Sequence, residues 1–80
     1  MNTVTAVRNR ILQLCNERNI TINALATISG LLQSFINNII YGKSLNHKIV
    51  TIKMICDGLN ITLGEFFSTT EFNSLEQELK

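Results

Sequence analysis

Along its 80 residues the chain carries no proline and no β-alternating run of useful length. Its apolar residues return instead at helical spacing. Val7, Ile11 and Leu14 share one face, joined by Val4 and Cys15. Leu25 and Ile28, with the small Ala24 and Ala26, make a second face, and Ile36 and Ile39 a third. Ile49, Ile52, Ile55, Cys56 and Leu59 make a fourth. The four glycines, at 30, 42, 58 and 64, fall near expected helix ends or turns. The pattern predicts an all-α chain of five or six helices. At this length it forms one domain with a small core, and 45% hydrophobic against 16% charged residues is a folding composition.

The expected boundaries follow from end signals. The first helix covers about residues 4–18, with Arg8, Arg10, Glu17 and Arg18 outside the apolar stripe. Asn19 ends it, because asparagine tolerates the left-handed backbone. Thr21 is a good N-cap for a second helix that stops before Gly30. A third helix covers about 32–40 and is stopped by Gly42; a fourth covers about 47–58. Thr62 and Glu65 have capping-box spacing and open a fifth helix holding Phe66 and Phe67. A last helix over about 71–79 carries Phe72, Leu75 and Leu79. No internal repeat is expected.

Several classes of function are disfavoured. The formal net charge is +1, so only the placement of charges, not their sum, would serve a polyanion. Cys15 and Cys56 are expected to be reduced and packed as small hydrophobes. With a single histidine they cannot build a tetrahedral metal site, and neither metal nor cofactor is expected. His47 is read as a solvent-facing or capping residue. No run of about 18 apolar residues predicts a membrane span. The polar opening MNTVTAVRNR does not look like a secretory signal, so the expected location is cytoplasmic. No nucleophile, base and acid stand in a plausible set, so no enzyme is expected.

The stretch TINALATISGLLQSFINNIIYGKS, residues 21–44, holds the informative constellation. Ala26 is small where a second helix would cross. Gly30 permits a sharp turn. Ile36 and Ile39 bury against the first helix, with Leu25 and Leu31 completing the shared core. That order describes a helix-turn-helix at about residues 21–40, with the outer face of its second helix in solvent. The face carries amides and hydroxyls: Gln33, Ser34, Asn37 and Asn38.

Residues 10–67, through RILQLCNERNIT, LATISGLLQSFINNIIYGKS and TIKMICDGLNITLGEFF, resemble the Cro/C1-type (XRE-family) helix-turn-helix domain of phage repressors and small stand-alone bacterial regulators. The resemblance implies a compact five-helix lambda-repressor-like domain over 1–68 and a short helical extension over 69–80. It implies no enzymatic activity, and it implies a sequence-specific transcriptional regulator, a repressor, bound to double-stranded DNA. The second helix of the motif would enter the major groove. Gln33, Ser34, Asn37 and Asn38 match base-reading positions, and a glutamine amide pairs bidentately with adenine. Lys43, Ser44, Thr21 and Asn23 would hold phosphates, with Arg10 a weaker candidate. No small-molecule ligand is implied.

The chain departs from the family pattern at four places. Ile22 stands where a phosphate-binding glutamine is common, Leu32 where serine or threonine caps, Phe35 where a small or polar residue is usual, and His47 where proline is frequent. Phe66, Phe67, Phe72 and Leu75 would either close the core or pair two copies. A two-fold homodimer on DNA would set its reading helices about 34 Å apart. A rival reading is a protein-interaction module of the same fold, such as an antitoxin or adaptor; Leu12, Phe35, Ile40 and Met54 exposed together would favour it. A thiol-based sensor is a third reading.

Overall fold

Three helix junctions share one backbone plan. Asn19, Gly30 and Asn60 sit in the left-handed region, at φ 57°, 68° and 58°. After each comes an apolar residue whose N–H reaches back five positions: Ile20 to the Cys15 carbonyl, Leu31 to Ala26 and Ile61 to Cys56. This is the Schellman closure, which satisfies carbonyls that a helix end leaves open. Ile20, Leu31 and Ile61 also pack against the core. The next residue, Thr21, Leu32 or Thr62, is extended and starts the following helix. An Asn-Ile-Thr unit therefore does the same work twice, a short repeat the sequence pattern did not flag.

The computed structural model describes residues 2–42 and 47–79. Its elements are α1 (Thr3–Glu17), α2 (Ile22–Ile28), α3 (Gln33–Tyr41), α4 (Ile49–Leu59), α5 (Leu63–Phe67) and α6 (Thr70–Asn73). No strand occurs among the described residues. α2 is the hub and packs on α1, α3 and α4; α5 rests on α4 and α6 on α1. Ile11, Leu25, Ile36, Ile55, Leu59 and Phe66 are the large side chains fully removed from water. Each stabilises the fold by roughly 1.5–3 kcal/mol of transfer free energy.

The stripes hold with two exceptions. Ile28 is exposed, because Leu25, Ala26 and Ser29 define the buried side of α2. Ile49 is exposed with Val50, because α4 begins only there and its buried stripe runs through Ile52, Ile55, Cys56 and Leu59. Gly58 is the next-to-last residue of α4, near the helix end as expected. A Cβ there would stand 2.7 Å from Ser29 Oγ and 2.9 Å from the Ile28 carbonyl oxygen, so glycine is what lets α4 meet the end of α2.

The aromatic residues close the core. Phe66 is 0% exposed, so it cannot belong to a pairing surface as expected. Its ring meets Phe67 edge-on at 4.9 Å, and Phe72 stands 4.9 Å from Phe67. Such pairs contribute about 0.5–1.5 kcal/mol beyond buried area. Phe72 thereby brings the chain after α5 back onto the body.

The last helix is shorter than its periodicity predicts, one turn over Thr70–Asn73 instead of 71–79. Glu76 and Glu78 would crowd the negative end of a longer helix. Glu78 instead accepts hydrogen bonds from Thr3 Oγ1 at 2.8 Å and Thr3 N at 3.4 Å, placing a carboxylate at the positive end of α1. His47 is half-buried near the start of α1, in a cavity of about 600 Å³ that Val4, Ile52 and Phe67 also line. Neither of its ring nitrogens has a hydrogen-bond partner among the described residues. It is neither a cap nor fully solvent-facing, and burial, then the charge of Arg8, push its pKa below the ordinary histidine value.

Candidate nucleic-acid interface

α3 is two-faced because its sequence, QSFINNIIY, is. Ile36, Ile39 and Ile40 form the buried side against the core. Gln33, Ser34 and Asn38 are exposed and Asn37 is half-buried. The helix carries no charged residue, so its outer surface offers only donors, acceptors and apolar atoms. Ser34, Asn38 and Tyr41 follow one another at i, i+4 and i+7 and make the outermost row. Gln33 and Asn37 run beside that row on one side, and Phe35 stands on the other.

The helix is held firmly from behind. Ala26, small and buried, allows the close approach of α2 and α3. Arg8 donates from Nε to the Ile39 carbonyl at 3.5 Å, tying α1 to the last turn of α3. The chain leaves through Gly42, where a Cβ would lie 2.6 Å from the Asn38 carbonyl oxygen and 2.9 Å from Asn38 Oδ1. A larger residue there would displace Asn38.

The front end of α3 is open. Leu32 occupies the N-cap position, 74% exposed, and its side chain offers no cap hydrogen bond. Asn2, Thr21, Thr62 and Thr69 do cap their helices. Phe35 N donates to the Leu32 carbonyl at 3.0 Å, and the amides of Gln33 and Ser34 before it are left for another acceptor.

The expected phosphate contacts fare unequally. Thr21 and Asn23 are exposed at the start of α2, with the Thr21 hydroxyl accepting from Ala24 N at 3.0 Å. Lys43 and Ser44 lie outside the described residues. Arg10 has a different task. It donates to the Phe66 carbonyl at 2.8 Å, the Glu65 carbonyl at 2.9 Å and Gln13 Oε1 at 2.9 Å. It thus caps the end of α5 from α1 rather than standing free.

Tyr41 is the residue that sequence reasoning missed. It is 75% exposed and shares the outermost row with Ser34 and Asn38. The 34/38/41 spacing is the signal in the sequence, and an expected helix end at about residue 40 leaves Tyr41 outside it.

The surface that would favour a protein-interaction module does not assemble as expected. Ile40 is buried and Met54 half-buried, while Leu12 and Phe35 are exposed. Cys15 and Cys56 are free but buried, and burial raises both thiol pKa values, with the Asp57 charge adding to the effect at Cys56. That environment suppresses the thiolate a sensor needs. Among the described residues no three or more His, Cys, Asp or Glu side chains gather as a metal site, and no helix is long and apolar enough to cross a membrane.

The model of the Cro/C1-type HTH DNA-binding domain matches residues 10–71, most of the chain and every element from late α1 to the start of α6. This chain belongs to the Cro/C1-type helix-turn-helix family. The crystal structure of the prophage Lp1 protein 11 is similar to it across 94% of this chain and 100% of that one, at 34% identity and a TM-score of 0.81. No curated protein matches. In this Cro/C1-type domain α2 and α3 pack together and are joined by a turn at Gly30.

Proposed function

We propose that this chain is a sequence-specific transcriptional regulator, a repressor, that reads the major groove with the outer face of α3. The observation that carries the proposal is the uncharged, exposed row of Ser34 and Asn38, with Gln33 beside it, on a helix anchored from behind by Ile36, Ile39 and Ile40. Gln33 and Asn38 have the amide geometry that pairs bidentately with adenine, and Ser34 and Asn37 supply single hydrogen bonds to neighbouring edges or backbone. Thr21, Asn23, Lys43, Ser44 and the phenol of Tyr41 take phosphates or sugars, and the open amides at the start of α3 add to them. With a net charge of +1 the charge-driven part of binding is small, so affinity rests mostly on fit. Repression then needs only occupancy of a promoter. Two copies pair on DNA through the partly exposed rim of Phe67, Phe72 and Leu75.

The test is selection from a random duplex library at two salt concentrations, wild type beside a Gln33→Ala/Asn38→Ala double variant. The expected result is a two-fold symmetric motif for the wild type and its loss in a variant whose circular dichroism is unchanged. A wild type that enriches nothing at either salt concentration sinks the proposal.

A further inference from the structure

The reading face is not wholly polar. Phe35 stands 48% exposed on α3, one residue past Ser34 and one turn before Asn38. Leu32, at the N-cap, is exposed three residues earlier. Both replace residue types that would be easier to keep in water. A serine at position 32 would cap the helix, whereas Leu32 leaves it uncapped. A half-exposed phenyl ring gains nothing from packing on its solvent side. The fold does not need this ring: α3 is anchored by Ile36, Ile39 and Ile40, and the aromatic core of the domain is Phe66, Phe67 and Phe72.

Resting on the proposed reading of α3 as the groove-facing helix, we infer that Phe35, with Leu32 at its side, makes a non-polar contact with thymine 5-methyl groups and so sets a thymine requirement beside the bases read by Gln33 and Asn38. The chemistry leaves one class of target. In the major groove the bases present donors, acceptors and, on thymine alone, a methyl group. A phenyl ring has no hydrogen bond to give, so the thymine methyl is the base-edge feature it discriminates. The low charge of the chain fits this division of labour, because burying apolar surface adds affinity that phosphate contacts do not supply.

The experiment uses the duplex that the selection enriches. Each thymine is replaced singly by deoxyuridine, which removes the 5-methyl and keeps every hydrogen-bonding group. Affinities are measured for the wild type and for Phe35→Ala. The expected result is a loss of about threefold to fivefold for the wild type at one or two thymines per half-site. Phe35→Ala should bind the thymine and deoxyuridine duplexes alike while keeping its preference at the positions lost in the Gln33→Ala/Asn38→Ala variant. A wild type that binds every deoxyuridine duplex as tightly as the parent overturns the inference and leaves the major-groove reading standing. Undiminished discrimination by Phe35→Ala overturns it as well. If the selection enriches no motif, the groove reading fails and this inference fails with it.

Discussion

The junction before α2 and the junction before α3 have the same backbone and different chemistry. Both run from a left-handed residue through a packed apolar residue to an extended N-cap position: Asn19-Ile20-Thr21 in one case, Gly30-Leu31-Leu32 in the other. Thr21 closes its helix by accepting from Ala24 N, and Thr62 repeats the arrangement before α5 with a full capping box. Leu32 closes nothing. The geometry of the turn is thus set by the left-handed residue and the Schellman bond, while the cap is an independent choice. Side-chain caps are present at α1, α2, α5 and α6, and absent at α3 and α4, where Leu32 and Lys48 hold the N-cap position. At the start of the proposed reading helix the amides and a leucine side chain face outward.

The largest effect expected along this comparison is behind the second junction. Gly58→Ala gains about 1 kcal/mol of helix propensity. It also drives a methyl against the Ile28 carbonyl and Ser29 Oγ, at separations no ordinary Cβ contact has. Overpacking of this kind costs about 1–3 kcal/mol. Because the nearest atoms include backbone, the net should be a loss, of up to about 2 kcal/mol by urea denaturation. A gain in stability would show that α2 and α4 can slide apart freely.

Thr62→Ala removes the cap of α5 and should cost about 1 kcal/mol in the same measurement. Leu32→Ser should have the opposite sign. It restores the missing cap and should stabilise the fold by about 0.5–1 kcal/mol. If Leu32→Ser destabilises instead, the leucine is packing and the contrast between the junctions is false. The smallest effect is the pH dependence of His47. Its folded pKa lies below the ordinary histidine value of 6.5, so between the two pKa values the unfolded chain binds more protons than the folded one. Stability should therefore fall as the pH drops below about 6.5 and level off once the folded-state pKa is passed. The slope just below about pH 6.5 should vanish in His47→Gln, whereas a slope that survives the substitution assigns it to another group.

Much of this was legible in the residues. Apolar spacing located the core stripes apart from Ile28 and Ile49, Thr21 and Thr62 marked true caps, and Asn19 marked a left-handed end. Three further readings differ from the structure for definite reasons. Phe66 looked available for pairing, because the core residues that bury its ring, and Arg10 of α1 that donates to its carbonyl, lie far off in sequence. Arg10 looked free for the same reason. The tail looked helical to 79 because Phe72, Leu75 and Leu79 have the right spacing, but periodicity does not register that Glu78 finds Thr3 across 75 positions. Local pattern reports which face is apolar. It does not report which remote backbone group a long polar side chain will reach.

That last contact bears on the order in which the molecule comes apart. Most of its hydrogen bonds join residues within five positions, as in the helix ends and caps. The Thr3–Glu78 bond closes the longest loop among the described residues, lies at the surface, and holds a segment with no helix of its own. Closing so long a loop costs entropy that one exposed bond repays poorly. In hydrogen exchange the seam at Thr3 should open first and often, long before the ends of α1, α2 and α4 that carry the left-handed closures, so this domain would unravel from the meeting of its two ends inward.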